Sequence, residues 1–272
     1  MENAMARGAG WRPTPLIGGS VLVHAAALGG VAAAPGLWPW ALGAIVANHA
    51  LLAAGGLLPR SRLLGPNWTR LPATTATAQA IAITLDDGPH PEVTPRVLEV
   101  LQARGARATF FCIGERAADH PDLVRAIAAA GHAVENHSLR HRHDFALLGP
   151  ARYDAEIGAA QRTLAGLAGS APRFFRAPAG LRNPFLEGAL ARLDLRLVSW
   201  TRRGFDTINR DVDAVYARLT RGLAARDILL LHDGNAAHTP QGRPVVLEVL
   251  PRLLDAVEGA GLRTVTLRAA LA

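Results

Sequence analysis

The chain contains no lysine, so its net charge of +7 over 272 residues comes from arginine alone. Aromatic residues make up only 5% of it, and Cys112 is the sole cysteine. Each scarcity excludes something. A nucleic-acid face needs clustered cations interleaved with rings that stack on bases; here the arginines are scattered and the rings few, so no nucleic-acid partner is expected. A single cysteine cannot form an intrachain disulfide and does not report on redox compartment. Within A-T-F-F-C-I-G it reads as a buried apolar filler. No G-x-G-x-x-G or Walker loop follows any apolar run, so no nucleotide cofactor is expected either.

What is abundant is small and apolar: hydrophobic residues reach 50%. Two uncharged stretches, 15–34 and 41–58, each approach the roughly 20 residues that span a bilayer. The P-G-L-W-P-W turn between them carries tryptophans suited to an interface. The expectation is a transmembrane hairpin, with His24, Asn48 and His49 packing between its helices. Two other readings stand beside it: a signal peptide cut near Ala32-Ala33-Ala34, and a soluble pair of Ala/Gly-rich helices. Arg7 and Arg12 precede the hairpin and Arg60, Arg62 and Arg70 follow it, while the turn has no cation. The positive-inside rule then puts the rest of the chain on the cytoplasmic face of a bacterial inner membrane, a periplasmic or extracellular location being the alternative. L-P-A-T-T-A-T-A-Q (71–79) reads as a linker. The expected organisation is residues 1–72 as hairpin and linker, and 73–272 as one catalytic domain.

From Ala80 onward strand-like and helix-like runs alternate. Strands are expected near 80–85, 108–112, 132–135, 173–175, 195–200, 227–231 and 263–267. Helices are expected over Thr94–Arg104, Pro121–Ala130, Ala151–Leu167 and Pro244–Glu258, among others. Such alternation predicts an α/β fold with a parallel sheet, either a β/α barrel or an open doubly wound sheet.

The stretch I-A-I-T-L-D-D-G-P-H-P (81–91) ends a strand in two adjacent carboxylates. At a strand terminus that turns on Gly88-Pro89, Asp86 and Asp87 can both face one pocket. They repel each other unless a metal ion or an arginine neutralises one of them. E-N-H-S-L-R-H-R-H supplies His137 and His141 at a spacing that sets two imidazoles on one side of a turn, although His132 and His143 make this segment histidine-rich in general. Asp86, Asp87, His137, Arg176, Trp200 and His232 all fall at or just past the C-terminal ends of different predicted strands. In β/α architectures that face carries the chemistry.

These segments resemble the five motifs of the polysaccharide deacetylase family (the NodB-homology domain, carbohydrate esterase family 4). T-L-D-D-G-P resembles the first motif, H-S-L-R-H the second and R-A-P-A-G the third. W-T-R-R-G-F-D is a looser match to the fourth, and L-L-L-H-D resembles the fifth. The resemblance spans about residues 80–268. It implies a distorted (β/α) barrel of about seven parallel strands that removes N-acetyl groups from amino sugars with a divalent metal. Zinc is the first choice of metal, with cobalt, nickel or manganese as alternatives. By similarity Asp87, His137 and His141 are the metal ligands, Asp86 the general base and His232 the general acid. Arg176 would pair with the base and Asp206 would orient the acid. Pro178, Ala179, Trp200 and Leu231 would support or wall the substrate pocket, with the Ala179 N–H toward the oxyanion.

Two departures from the family pattern bear on substrate. Ala179 stands where an aromatic usually follows the third-motif proline, and Arg203 and Thr207 replace an expected Asp and Trp in the fourth. Both change the rim rather than the metal centre and argue against a long polymer such as chitin or mature peptidoglycan. The expected partner is an N-acetylated glycan, in particular a lipid-linked amino sugar at the membrane. A catalytically silent sugar-binding module is the competing class. It would need neither Asp86 nor His232 as a proton-transfer group. A different hydrolase on the same fold is a third reading.

Overall fold

A computed structural model describes residues 11–271. Arg7, one of the charges behind the expected sidedness, lies outside the described residues. Helices α1 (Pro15–Ala33) and α2 (Trp38–Leu57) form a hairpin through a short 3-10 turn at Pro35–Leu37. Thr14 caps α1 by accepting from the Ile17 N–H, with Pro15 at the first helical position, where its missing N–H costs nothing. Both helices are long and apolar enough to cross a membrane, and little of either is buried against protein. Their few polar groups satisfy one another: Asn48 Nδ2 donates to Ser20 Oγ at 2.8 Å, and the His24 and His49 rings lie 5.1 Å apart.

The remainder alternates strand and helix, beginning β1 (Ala80–Asp86), α3 (Val93–Ala103), β2 (Ala108–Cys112), α4 (Gly114–Asp119), α5 (Pro121–Ala129) and β3 (Ala133–Asn136). It continues α6 (Pro150–Ala168), β4 (Phe174–Phe175), α7 (Leu186–Arg192), β5 (Arg196–Leu197), β6 (Arg202–Arg203) and α8 (Val212–Thr220). It ends β7 (Ile228–His232), α9 (Val245–Gly259) and β8 (Arg263–Thr264). Seven strands run in the order β5-β4-β3-β2-β1-β7-β6, all paired in parallel, and β8 pairs with the start of β1. This is a half-barrel of the expected α/β class.

Of the strand expected over 195–200 only Arg196–Leu197 forms, as β5, and β6 (Arg202–Arg203) follows beyond it. After Leu197 the chain leaves β4 and takes a different neighbour: Val198 bridges Trp68, and the Ser199 N–H donates to the Trp68 carbonyl. Arg70 in turn bridges Asp227, just before β7. The segment from Trp68 to Arg70 therefore lies in the open seam of the half-barrel. Leu64, Asn67 and Leu71 are buried around it.

Strand β1 is buried along its whole length. Its outer side chains Ile81, Ile83 and Leu85 join Leu229, Leu231 and the inward stripe of α9 in one apolar cluster. A parallel strand covered on both faces needs apolar or small residues throughout, which is why 80–85 reads as a continuous run rather than an alternation. On the inner face the last residues are Thr84 and Asp86, so polarity enters the barrel only at its C-terminal end.

Candidate active site

β1 ends at Asp86, and Asp87 follows with a left-handed backbone (φ 69°). That reversal brings both carboxylates to one side instead of the opposite sides that strand alternation would give. The next residue has to be glycine: a Cβ at Gly88 would overlap the carboxylate of buried Asp233. His137 and His141 lie in a tight loop after β3, not on a helix, and Ser138 and His141 both take positive φ. The loop is tied by the Ser138 N–H donating to Asn136 Oδ1 and the His141 N–H donating to Ser138 Oγ.

These turns bring Asp87, His137 and His141 together, with one ligand atom from each inside a 4.8 Å cluster. Asp87 Oδ1 is 3.2 Å from Nε2 of both imidazoles. It is buried and has no hydrogen-bond partner. His137 Nδ1 donates to the Arg176 carbonyl at 2.8 Å, which leaves its Nε2 lone pair facing Asp87. Burial works to raise the Asp87 pKa, but His137, His232 and His141 outweigh it and hold the carboxyl below the usual range. Burial and the neighbouring His137 hold the His141 pKa down, favouring the neutral imidazole. An orphaned carboxylate oxygen and two aimed imidazole nitrogens are a donor set that fits a divalent cation such as zinc.

Asp86 is paired differently. Arg176 Nη1 donates to Asp86 Oδ1 at 2.6 Å and to Thr84 Oγ1 at 2.8 Å. Its other nitrogens reach the Val198 and Ser199 carbonyls, and its guanidinium stacks 4.1 Å over the Phe111 ring. Arg176 is only 1% exposed, so an ion pair is fixed inside the barrel. Asp86 Oδ2 is left pointing toward the triad, 3.8 Å from His137 Nε2. On the adjacent strand, His232 pairs in register with Asp86. Asp206 accepts from His232 Nδ1 at 2.9 Å and from the His232 N–H at 2.8 Å. Burial is the largest single influence and opposes protonation of His232, but Asp206 together with Asp86 and Asp87 outweighs it and raises the imidazole pKa above its ordinary value. With Nδ1 committed to Asp206, Nε2 is the nitrogen free to carry a proton into the cavity.

Asp86, Asp87, His137, His141 and His232 line one cavity of about 200 Å³, together with Ala177, Ala179, Gly180, Trp200, Arg203, Thr207, Leu230 and Asn235, while Arg176 and Asp206 act from behind its wall. Ala179 takes φ 54°, and Pro178 is buried behind it without lining the cavity. Leu231 is a correction. It faces outward into the core with Ile83 and Leu85, and Leu230 walls the cavity instead. Side chains alternate along a strand, so the residue two before His232 shares its face and the residue one before does not.

Asn235 and Arg116 were not anticipated. Asn235 Nδ2 donates to Asp87 Oδ2 at 3.0 Å; Arg116 holds the Asp87 carbonyl at 2.6 Å and Asn235 Oδ1 at 2.9 Å. Together they fix the rotamer that offers Oδ1 to both histidines. Asn235 was findable in principle, since it lies just past the C-terminal end of β7, whereas Arg116 carries no sequence signal.

The polysaccharide deacetylase family model matches residues 73–198. A chitooligosaccharide deacetylase of Sinorhizobium fredii is 34% identical over 204 residues, covering 70% of this chain and 91% of that protein. A peptidoglycan-N-acetylglucosamine deacetylase of Bacillus cereus is 31% identical over 188 residues, covering 68% of this chain and 85% of the other. Among solved structures, a family 4 carbohydrate esterase from Streptomyces lividans in complex with acetate superposes with a TM-score of 0.62 at 35% identity, covering 68% of this chain and 91% of that one. With relatives this similar spanned over most of their length, the chain belongs to the polysaccharide deacetylase family.

Proposed function

We propose that this carbohydrate deacetylase is a metal-dependent hydrolase that removes the acetyl group from the nitrogen of a lipid-linked amino sugar at a membrane. The observation that carries the metal dependence is Asp87 Oδ1, buried, without a hydrogen bond, and 3.2 Å from two imidazole nitrogens. Asp87, His137 and His141 would hold the cation, zinc by the chemistry of its donors. When bound, such a cation supplies Lewis acidity toward a carbonyl and toward water. Asp86, held in place by Arg176, takes the proton of the attacking water. His232, protonated on Nε2, delivers a proton to the departing nitrogen, which would otherwise leave as an unstabilised amide anion. Ala179 lines the cavity, and its N–H would donate to the developing oxyanion. Trp200 and Leu230 wall the acetyl group.

The membrane part of this reading is supported by where α2 ends. Pro59, two residues past that helix, packs against the cavity rim: a Cβ on Gly180 would sit 2.7 Å from both the Pro59 and Trp200 side chains. The Arg182 N–H donates to the Gly56 carbonyl at 3.2 Å, and Ser199 Oγ donates to the Pro59 carbonyl at 2.5 Å. A cavity held this close to an apolar hairpin meets substrates at the bilayer surface. By the arginine distribution that surface is the cytoplasmic one, with zinc as the cofactor there.

Purified full-length protein is expected to release acetate from N-acetylglucosamine oligomers and lipid-linked N-acetylglucosamine, to stop after chelation, and to recover on adding zinc. Activity that survives chelator dialysis to metal-free protein would remove the metal from the mechanism. C-terminal reporter fusions address sidedness: a fluorescent protein that folds only in the cytoplasm is expected to light up, and a periplasm-dependent phosphatase to stay dark. The reverse pattern favours a wall-polymer substrate, in keeping with the peptidoglycan deacetylase among the relatives.

A further inference from the structure

Consecutive arginines on β6 face opposite ways. Arg202 points outward and is paired, donating from Nε to Asp227 Oδ2 at 2.8 Å. Arg203 stands in register with Leu230, and Leu230 with Thr84 of β1. Residues in register share a face, so Arg203 points into the half-barrel, in the layer directly beneath the Asp86–His232 pair. It lines the same cavity as the metal triad.

There it has no counter-charge. Among the described residues the side chain of Arg203, which is partly exposed, makes no ion pair or hydrogen bond, and its Nε is buried without a partner. Its guanidinium lies 5.3 Å from the Trp200 ring and 4.9 Å from the Phe205 ring. Those rings hold the cation in place but accept none of its N–H donors in the planar fork that matches an oxyanion. The other cation deep in the half-barrel, Arg176, is already committed to Asp86. An unsatisfied guanidinium facing a cavity calls for an anion, and the acetamide group is neutral, so the anion belongs to another part of the substrate.

We propose that Arg203 marks an anion subsite of this cavity that takes a phosphate group attached to the amino sugar. The assignment rests on the deacetylase reading above and names the class of its substrate: an N-acetyl amino sugar bearing a phosphate. A phosphate rather than a carboxylate follows from the neighbourhood. Arg60, exposed at the end of α2 and without a carboxylate partner among the described residues, donates to the Thr201 carbonyl at 3.3 Å, two residues from Arg203. Pro59 beside it packs against Gly180 of the cavity wall. The two cations thus stand between the apolar hairpin and the cavity, and a sugar carried by a membrane lipid is joined to it through phosphate. Thr207, where the family pattern has a tryptophan, lines the same cavity as the arginine with a much smaller side chain.

The test compares full-length wild type, Arg203→Gln and Arg203→Lys on a neutral methyl glycoside of N-acetylglucosamine, on N-acetylglucosamine 1-phosphate, and on polyprenyl-diphosphate N-acetylglucosamine. A charge-assisted contact of this kind predicts a wild-type preference of about 10- to 100-fold in kcat/KM for a phosphorylated substrate. Arg203→Gln should erase that preference and Arg203→Lys restore part of it. A higher rate on the lipid-linked substrate, lost in Arg60→Gln, identifies a lipid carrier; an equal rate on the soluble phosphate identifies a free sugar phosphate. Equal losses on neutral and phosphorylated substrates in Arg203→Gln, or a wild type that prefers a uronic-acid glycoside, would overturn the phosphate subsite. Calorimetric binding of the sugar and its 1-phosphate reads the same difference without turnover. Tighter binding of the phosphate with no acetate released would therefore remove the deacetylase reading and leave the subsite standing.

Discussion

Asp86→Asn is expected to lower turnover by about 100- to 10,000-fold, the usual weight of a positioned general base, while the metal content of the protein stays the same. The asymmetry follows from how the two adjacent carboxylates are held. Asp87 presents Oδ1 to His137 and His141, which makes it the proposed metal ligand. Asp86 gives Oδ1 to Arg176 and keeps Oδ2 directed at the triad, 3.8 Å from His137 Nε2. An amide at position 86 can still accept from Arg176 through its oxygen, but it cannot take a proton from water. It also leaves the buried guanidinium without a counter-charge. Breaking a buried pair by removing one partner typically costs about 3–5 kcal/mol, so a lower unfolding midpoint is expected alongside the lost turnover. Asp87→Asn should show the opposite pattern, with metal lost first. The measurements are elemental analysis, steady-state kinetics and denaturant unfolding on the three proteins. Equal turnover in wild type and Asp86→Asn would remove Asp86 from the chemistry.

His232→Ala should divide substrates by leaving group. Loss of the proton donor is expected to cost about 100- to 10,000-fold on an N-acetyl amino sugar. A nitrophenyl acetate, whose phenolate leaves without protonation, should lose far less. The pH profile gives a second reading of the same residue. Burial lowers the His232 pKa, Asp206 with Asp86 and Asp87 raises it more, and the net shift is upward. The acid form is therefore present below this raised pKa and lost as pH rises through it, which sets the alkaline limb of kcat/KM. Removing the carboxylate in Asp206→Asn takes away the raising influence, so the alkaline limb should move to lower pH. An unmoved alkaline limb in Asp206→Asn would assign that limb to another group. Uniform losses on amide and activated ester in His232→Ala would argue that the residue shapes the cavity rather than donating the proton.

The sequence alone determined the fold class, because strand and helix periods alternate from Ala80 onward and leave a parallel sheet as the arrangement that buries both. It also named Asp86, Asp87, His137, His141, Arg176 and His232, because the C-terminal ends of parallel strands converge and short motifs mark those ends. Three matters were decided only in three dimensions. The phase of β7 cannot be read from Leu229-Leu230-Leu231, since a strand buried on both faces shows no alternation, and so Leu231 was assigned to a cavity that Leu230 walls. Residues 64–71 fall within the segment expected to be hairpin and linker, yet Trp68 bridges Val198 and Arg70 bridges Asp227, and no local pattern encodes partners so distant in sequence. The different duties of Asp86 and Asp87 depend on which oxygen meets Arg176 and which meets two imidazoles. Adjacent identical residues carry no such distinction until the backbone reversal at Asp87 aims them.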